Sequence, residues 1–233
     1  MKSRRVALVA GMAVLLMASG CTAQEKKVEL NSLKDKVSYG IGLNIGKDFK
    51  EQEIDVDVNL LSRGIKDSLA GSQPALTDEQ MQEAFEAFQK EMVAKQEAKS
   101  KAAADKNLKD GQAFMAENGK KEGVVTLPSG LQYKVIEAGS GKTPGATDTV
   151  TVHYRGTLVD GSEFDSSHKR GEPATFPVSG VIPGWTEALQ LMKEGAKWQV
   201  VIPPALAYGE RGAAPVIGPN STLVFEVELI KVQ

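Results

Sequence analysis

Cysteine and histidine are almost missing from this sequence. Its 233 residues include one cysteine and two histidines, so an internal disulfide is impossible and a histidine-based metal centre is not expected. Neither sign of charge dominates, because 28 basic and 30 acidic residues give a net charge of −2, which argues against a nucleic-acid-binding surface. The apolar fraction of 41% is that of an ordinary globular protein. We therefore expect a folded chain that uses no metal, cofactor or nucleic acid.

Long hydrophobic runs are scarce as well. The longest extends from Val6 to Met17, and its 12 residues are fewer than the roughly 20 that cross a bilayer as a helix. It follows three basic residues, Lys2, Arg4 and Arg5. A basic start, a short apolar stretch and small residues are typical of a secretory signal peptide. We predict such a peptide over residues 1–20.

The single cysteine comes directly after this segment. The small residues from Ala18 to Gly20 precede Cys21 and resemble a bacterial lipobox, in which the cysteine is lipidated and becomes the mature N-terminus. The usual leucine three places before the cysteine is Ala18 here, so simple cleavage near Ala23 is the alternative. Both interpretations place the protein on the periplasmic side of a bacterial envelope, as an outer-membrane lipoprotein or as a soluble protein. Residues 21–31 would be a tether, and a lipid on Cys21 would be the only membrane contact.

Residues 32–74 have a helical pattern. Ser32 and Asp35 have the spacing of a capping box. Apolar residues then recur every four positions: Leu33, Val37, Ile41, Ile45 and Phe49. A second helix is predicted from Asn59, as its N-cap, to Gly71. Two such helices cannot bury a core alone, so we predict a homodimer formed through residues 32–92.

Three glycines interrupt the first of these helices. Gly40, Gly42 and Gly46 each cost a helix about 1 kcal/mol relative to alanine. We interpret them as sites where a second helix approaches closely. A bend or break in the helix is the alternative, and a phosphate-binding loop is a weaker one, because the spacing is not GxGxxG and no strand precedes it.

A long connecting helix is predicted over residues 75–118. No glycine or proline occurs between Ala75 and Asp110, and Thr77 with Gln80 has the spacing of a capping box. An apolar stripe is formed by Met81, Phe85, Phe88 and Met92. After Val93 the sequence is polar on all sides, which predicts a spacer through solvent that ends near Gly111 and Gly119.

Residues 119–233 are predicted to form a separate domain, in which the apolar period changes to two from Leu131 and predicts β-strands. A short helix follows Pro183-Gly184, carries Trp185, Leu189 and Met192 on one side, and stops at Gly195. The predicted fold class is α+β: an N-terminal all-α dimerisation region, a long helix, and a C-terminal antiparallel sheet wrapped on one short helix.

No nucleophile elbow, zinc-ligand spacing or Walker loop occurs, and neither His153 nor His168 is expected to be catalytic. The C-terminal region instead concentrates aromatic and branched residues near its turns, with one carboxylate, Asp165, beside Phe164. These are Tyr154, Phe164, Phe176, Val181, Ile182, Trp185, Tyr208, Ile217 and Phe225. On composition alone, most of them would be ordinary core residues, and Phe164 and Phe225 in part remain so.

Their order is more informative than their composition. Five segments follow one another: VHYRG from Val152, GSEFDSS from Gly161, VIPGW from Val181, AYG from Ala207 and TLVFEVEL from Thr222. Together they closely resemble the signature segments of FKBP-type peptidyl-prolyl cis/trans isomerases. The likeness runs from about Gly123 to Gln233, and the N-terminal helices resemble those of the macrophage infectivity potentiator (Mip) subgroup.

The resemblance implies a proline pocket and a role for each residue. Trp185 would be its floor, and Tyr208 would donate its hydroxyl to a substrate carbonyl. The backbone N–H of Ile182 would orient the peptide, and Asp165 would act electrostatically. The walls would be Tyr154, Phe176, Val181, Ile182 and Phe225. Phe164 would be a further residue of the catalytic site, and Ile217 would also bind the substrate. Proline-containing polypeptides would be the substrates and macrolides of the kind that bind FKBPs the inhibitors. Residues 213–217 are less bulky than in some members, which leaves the preference for the residue before proline open.

Two functions are consistent with the sequence. The first is an envelope prolyl isomerase that is also a dimeric chaperone. The alternative is a non-catalytic holdase that binds proline-containing clients in the cleft of the dimer. Retention of Asp165, Trp185 and Tyr208 together favours the enzyme.

Overall fold

The computed structural model of the chain describes residues 29–233. The predicted signal peptide and Cys21 lie outside the described residues. The chain divides after Ala75 into two compact units. Among residues 29–233, no helix is long and apolar enough to cross a membrane.

The first unit contains helices α1 (Leu33–Glu51) and α2 (Val58–Ala70). The capping box of Ser32 and Asp35 is present in α1. The N-cap of α2 is Asp57 rather than Asn59, because the Asp57 carboxylate accepts hydrogen bonds from the backbone N–H of Asn59 at 2.7 Å and of Leu60 at 3.1 Å. Gly71 ends α2 in the left-handed conformation, with φ of 63°.

Neither helix of the first unit contains a buried residue within the described chain. Leu33 is 79% exposed and Leu69 is 85% exposed. A Cβ added at Gly40, Gly42 or Gly46 would meet nothing within 4 Å. The close helix approach predicted at these glycines therefore does not occur within the part of a single chain that the structure describes.

Helix α3 (Asp78–Asn118) has 41 residues and is about 60 Å long at 1.5 Å per residue. It begins with the predicted capping box of Thr77 and Gln80. Its last three turns, from Asn107, are not the solvated spacer that the polar sequence predicts, because Gly111 and Asn118 are buried. Helix α3 also continues past Gly111. A Cβ at Gly111 would lie 2.3 Å from Thr222 Oγ1, so the absence of a side chain at this position permits close contact between the helix and the β-rich region.

Polar side chains complete this contact. The Asn118 amide donates to Gln132 Oε1 at 3.0 Å, and the Gln132 amide donates to the Met115 carbonyl at 2.9 Å. Hydrogen bonds and the close approach at a glycine therefore join the last turns of α3 to the β-rich region. A pattern of hydropathy does not predict contacts of these two kinds.

Seven antiparallel strands form one sheet, in the order β1-β2-β6-β7-β3-β4 with β5 also paired to β3. The strands are β1 (Val124–Thr126), β2 (Gln132–Glu137), β3 (Thr149–Leu158), β4 (Glu163–Ser166), β5 (Ala174–Pro177), β6 (Lys197–Ile202) and β7 (Leu223–Val232). Helix α4 (Ser167–Arg170) follows β4, and helix α5 (Pro183–Leu189) packs on the sheet. Helix α5 ends at Leu189 rather than near Gly195, although Met192 is still fully buried. The predicted α+β fold class is confirmed.

Candidate active site

A cavity of about 440 Å³ opens between the sheet and α5. Its lining is mainly aromatic and aliphatic, with one ionisable carboxylate. The lining residues are Tyr154, Phe164, Asp165, Phe176, Gly180, Val181, Ile182, Trp185, Tyr208 and Phe225. Nine of the ten predicted site residues other than Cys21 are thus brought together in one cavity, which Gly180 also lines.

Ile217 is the predicted site residue that does not line this cavity. Its side chain is buried in the core, and its backbone forms a two-way bridge with Ala213. The Ala213–Ile217 loop therefore contributes its isoleucine to packing in this structure, because the bridge directs the residue inward.

Trp185 lines the cavity and is 5% exposed. Pro183 is at the start of α5, and the Ile182 carbonyl accepts hydrogen bonds from the N–H groups of Trp185 and Thr186. No group among the described residues accepts a hydrogen bond from the Ile182 N–H. The start of α5 thus fixes the indole and leaves one backbone donor at the cavity.

The other rings contact Trp185 edge to face. Its ring centroid is 5.2 Å from that of Tyr154, 5.3 Å from that of Phe225 and 6.1 Å from that of Phe176. Tyr154 and Phe225 come from adjacent strands, β3 and β7. Such edge-to-face contacts favour one arrangement of the rings, so the cavity is preformed in the absence of a ligand.

A small polar network borders the apolar wall. The Tyr154 hydroxyl donates to Asp165 Oδ2 at 2.5 Å, and Arg170 donates to Asp165 Oδ1 at 2.5 Å and to the Tyr154 hydroxyl at 2.8 Å. Arg170 is not among the site residues predicted from the sequence. The available signal in the sequence was Gly171, the residue after Arg170. In the structure Gly171 ends helix α4 in the left-handed conformation, with φ of 81°, and the Arg170 side chain contacts Asp165.

The network keeps Asp165 ionised. Burial alone would raise the pKa of this carboxyl, but the hydrogen bonds from Tyr154 and Arg170 and the Arg170 charge hold the pKa below its ordinary 3.8. Burial, with the hydrogen bond to Asp165, raises the pKa of Tyr154 above 10.0. At neutral pH the tyrosine is therefore a donor and the carboxylate an acceptor.

We expect the catalytic efficiency to be insensitive to pH between about 5 and 8. Because the folded-state pKa of Asp165 is depressed, the network is intact above the ordinary pKa and is lost only as pH falls through the lower folded value. The measurement is kcat/KM on an X-Pro peptide between about pH 2.5 and 8, where the wild-type value should fall only below about pH 4. Asp165→Asn is the control, with a lower plateau and no acidic step. A wild-type midpoint near pH 6 would contradict this assignment.

The two histidines lie outside the cavity lining. Their rings stack with centroids 4.5 Å apart, and His153 Nδ1 is 3.0 Å from Ser167 Oγ. Trp198 likewise stacks on Tyr133 at 4.3 Å, in keeping with a packing role. Among residues 29–233, no group of three or more potential metal ligands is clustered.

Comparison with known proteins agrees with this architecture. The family described as FKBP-type peptidyl-prolyl cis-trans isomerase matches residues 140–230, and the domain amino-terminal to such isomerases matches residues 34–135. "Outer membrane protein MIP" of Legionella longbeachae is 49% identical over 98% of both chains. "Peptidyl-prolyl cis-trans isomerase Mip" of Coxiella burnetii is 45% identical over 91% of this chain and 92% of its own.

A solved structure extends the likeness to the fold. The crystal structure of FkpA from Escherichia coli superposes with a TM-score of 0.72 at 42% identity, covering 88% of this chain and 99% of that one. The resemblance identified from the sequence motifs is thereby confirmed. This chain belongs to the FKBP-type peptidyl-prolyl cis-trans isomerases and is an enzyme of that class, with Mip and FkpA proteins among its relatives.

Proposed function

We propose that this enzyme accelerates rotation about X-Pro bonds by excluding water from the amide in the aromatic cavity. The planar amide is stabilised by resonance, and its rotation barrier is about 18–20 kcal/mol. The planar form is also more charge-separated than the twisted form, so hydrogen bonds from water favour the ground state. A dry cavity removes that stabilisation, and a rate increase of about 10⁴ requires only about 5.5 kcal/mol.

The observation that carries this proposal is the character of the lining. Trp185 and the surrounding rings supply a hydrophobic lining, while the single carboxylate is paired with Arg170. A ring-lined cavity of about 440 Å³ has room for a pyrrolidine ring and its neighbours. Macrolide inhibitors of FKBPs are proposed to bind in the same cavity.

Each lining residue has a proposed role in this mechanism. Trp185 contacts the prolyl ring, and Asp165 fixes the Tyr154 hydroxyl and supplies an electrostatic field rather than a proton. The Ile182 N–H and the Tyr208 hydroxyl donate hydrogen bonds to the peptide backbone of the substrate. Tyr208 suits this role because it lines the cavity and is 41% exposed. The walls are Tyr154, Phe164, Phe176, Val181, Ile182 and Phe225.

Replacing Tyr208 with phenylalanine tests the proposed site. Loss of one hydrogen bond of about 1–2 kcal/mol predicts a fall in kcat/KM of about fivefold to thirtyfold. The matched control is Tyr133→Phe, since Tyr133 stacks on Trp198 and does not line the cavity. The measurement is isomerisation of a short X-Pro peptide. Equal activity of the two variants would refute the role of Tyr208.

We further propose that the chain is a homodimer formed through residues 32–92 and that the dimer acts as a chaperone. This proposal is supported by the exposed apolar side chains of α1 and α2, none of which is buried among the described residues. Helix α3 adds Phe85, 69% exposed, near its start. Two catalytic domains joined in this way would bind one client chain bivalently and so raise the effective concentration of its proline segments.

The exposed apolar helices also favour a second candidate function, the holding of unfolded clients independently of catalysis. The two activities separate in one experiment. A catalytic variant such as Tyr208→Phe should still suppress aggregation of an unfolded client if holding is independent. Loss of both activities together would show that holding depends on the cavity.

The proposed location is the periplasmic side of a bacterial envelope. It is supported by the N-terminal pattern of the sequence and by the relative that is named an outer membrane protein. A lipid on Cys21 and cleavage near Ala23 predict different masses for the mature N-terminal peptide. Mass spectrometry of that peptide distinguishes them, and an unmodified N-terminus after Ala23 would refute the lipid anchor.

A further inference from the structure

The long helix α3 contacts a turn that leads directly to the cavity. Asn107, half-buried on α3, donates from Nδ2 to the Pro219 carbonyl at 2.9 Å and to Ser221 Oγ at 3.4 Å. A Cβ added at Gly218 would lie 2.9 Å from the same nitrogen. One amide group therefore bonds to both sides of the turn from Gly218 to Ser221.

This turn is fixed internally as well. The Ser221 hydroxyl donates to the Gly218 carbonyl at 2.9 Å. Asn220, between the two residues that Asn107 binds, has a positive φ of 54°, which is uncommon for a residue other than glycine. A conformation of this kind persists where surrounding contacts specify it.

The turn is joined to the segment that carries Tyr208. The Asn220 N–H donates to the Gly209 carbonyl at 2.8 Å, and Gly209 directly follows Tyr208. That bond closes the base of the loop over residues 209–220, within which Ala213 and Ile217 pair in both directions. The backbone at Tyr208 is thus connected to α3 through two consecutive hydrogen bonds.

The phenol ring of Tyr208 has little packing of its own to determine its position. It is 41% exposed, whereas Tyr154 and Trp185 in the same cavity are each 5% exposed. The direction of its hydroxyl consequently depends on the backbone that carries it. Hydrogen-bond donors in catalytic sites lose their effect when displaced by about 1 Å.

We propose that Asn107 is a positioning residue for Tyr208, so that helix α3 determines the geometry of the substrate-binding hydroxyl. The inference rests on the role proposed above for Tyr208. It assigns to the long helix a contribution to isomerisation itself, in addition to joining the domains. Asn107 does not touch the cavity and acts only through the turn over residues 218–221.

The competing explanation is that Asn107 merely attaches α3 to the β-rich region. The same helix offers a matched control for this, because Asn118 is 3% exposed and its amide also bonds across to the region, at Gln132. Asn118→Ala removes a docking hydrogen bond that does not lead to Tyr208. The close contact of Gly111 with Thr222 remains in both variants and keeps the helix docked.

The test is a double-mutant cycle in the full chain, with kcat and KM measured separately on a short X-Pro peptide. Asn107→Ala is expected to lower kcat/KM about threefold to tenfold, whereas Asn118→Ala leaves it unchanged at a comparable loss of melting temperature. Asn107→Asp has the same size but no amide donor, and it should reproduce the loss. In the Tyr208→Phe background, Asn107→Ala should have no further effect. Hydrogen exchange of the Asn220 amide should be faster in Asn107→Ala.

Each other outcome overturns the inference. An equal loss in both backgrounds would mean that Asn107 acts through docking and not through Tyr208. Full activity of Asn107→Ala beside an impaired Tyr208→Phe would refute the inference and leave the proposed function intact. Full activity of Tyr208→Phe would refute the proposed role of Tyr208 and, with it, the inference.

Discussion

Replacing Gly156 with valine is expected to lower kcat/KM by about a hundredfold or more, because displacing site groups by about 1 Å can cost that much. A Cβ at Gly156 would lie 2.6 Å from Phe164 Cζ and 2.8 Å from Phe225 Cε1. Valine fits a β-strand better than glycine does, so the strand itself should tolerate the change. The loss of activity would result from displacement of the Phe164 and Phe225 rings.

Neither ring can move without changing the cavity. Phe164 and Phe225 meet edge to face at 5.5 Å, and Phe225 meets Trp185 in the same way at 5.3 Å. A side chain inserted beside both must push Phe164 outward or Phe225 toward the indole. Overpacking of this kind costs about 1–3 kcal/mol of stability, which leaves a folded protein with a distorted site.

Gly145→Val is the matched control. The only atom near a Cβ at Gly145 is Asp148 Oδ2, at 3.9 Å, so the added side chain meets open space away from the cavity. The test compares kcat/KM and the melting temperature of the two variants with those of the wild type. A Gly156→Val enzyme with more than half of the wild-type activity would mean that the rings do not form the working surface.

Much of the site could be predicted because its residues belong to strands with clear alternation. Val150, Val152 and Tyr154 point inward from β3 and are buried, as a period of two requires. Trp185 follows a proline and a glycine, which mark the start of a helix. For these residues, local sequence and final position agree.

The docking of α3 could not be predicted from hydropathy. The helix face that meets the β-rich region includes Asn107, Gly111 and Asn118, which are polar or small, and their partners are up to 114 residues away in sequence. A hydrophobic periodicity detects apolar burial only. A glycine between strong helix formers was the available signal, because an isolated glycine in a helix often has a packing reason.

Sequence patterns also failed to predict the positions of Ile217 and Arg170. Ile217 was predicted to line the cavity and does not, whereas Arg170 was not predicted and contacts two residues that line it. Ile217 belongs to an apolar loop, and its side chain is buried instead of lining the cavity because the backbone pairs with Ala213. Arg170 is the last residue of the short polar helix α4, and its side chain contacts the Tyr154 hydroxyl and Asp165. In both cases a turn conformation decides which way the side chain points.

The second large effect is expected in the first unit, where Leu69→Asp should convert the proposed dimer to a monomer. Leu69 is 85% exposed, so the variant loses little packing within its own chain. In a symmetric dimer the leucine is buried twice, and burying one leucine is worth about 1.5–3 kcal/mol. The loss of about 3–6 kcal/mol predicts a dissociation constant about 10²-fold to 10⁴-fold higher.

Asn59→Asp is the control, because it adds the same charge to α2 at a polar position near the N-terminus of the helix, where an acidic side chain is tolerated. Ile41→Asp, at a residue 56% exposed on α1, extends the test to the other helix. Sedimentation of the three variants gives the oligomeric state. A monomeric wild type, or a Leu69→Asp variant that stays dimeric together with Ile41→Asp, would refute the interface.

The same variants separate catalysis from holding. The cavity is lined entirely by residues of the second unit, from Tyr154 to Phe225, so monomeric Leu69→Asp should isomerise a short peptide at the wild-type rate. Bivalent binding of a long client requires two catalytic domains joined together, so suppression of aggregation should fall with the dimer. If the monomer protects an unfolded client as well as the wild type does, the exposed helices bind clients as single chains, and dimerisation has another purpose.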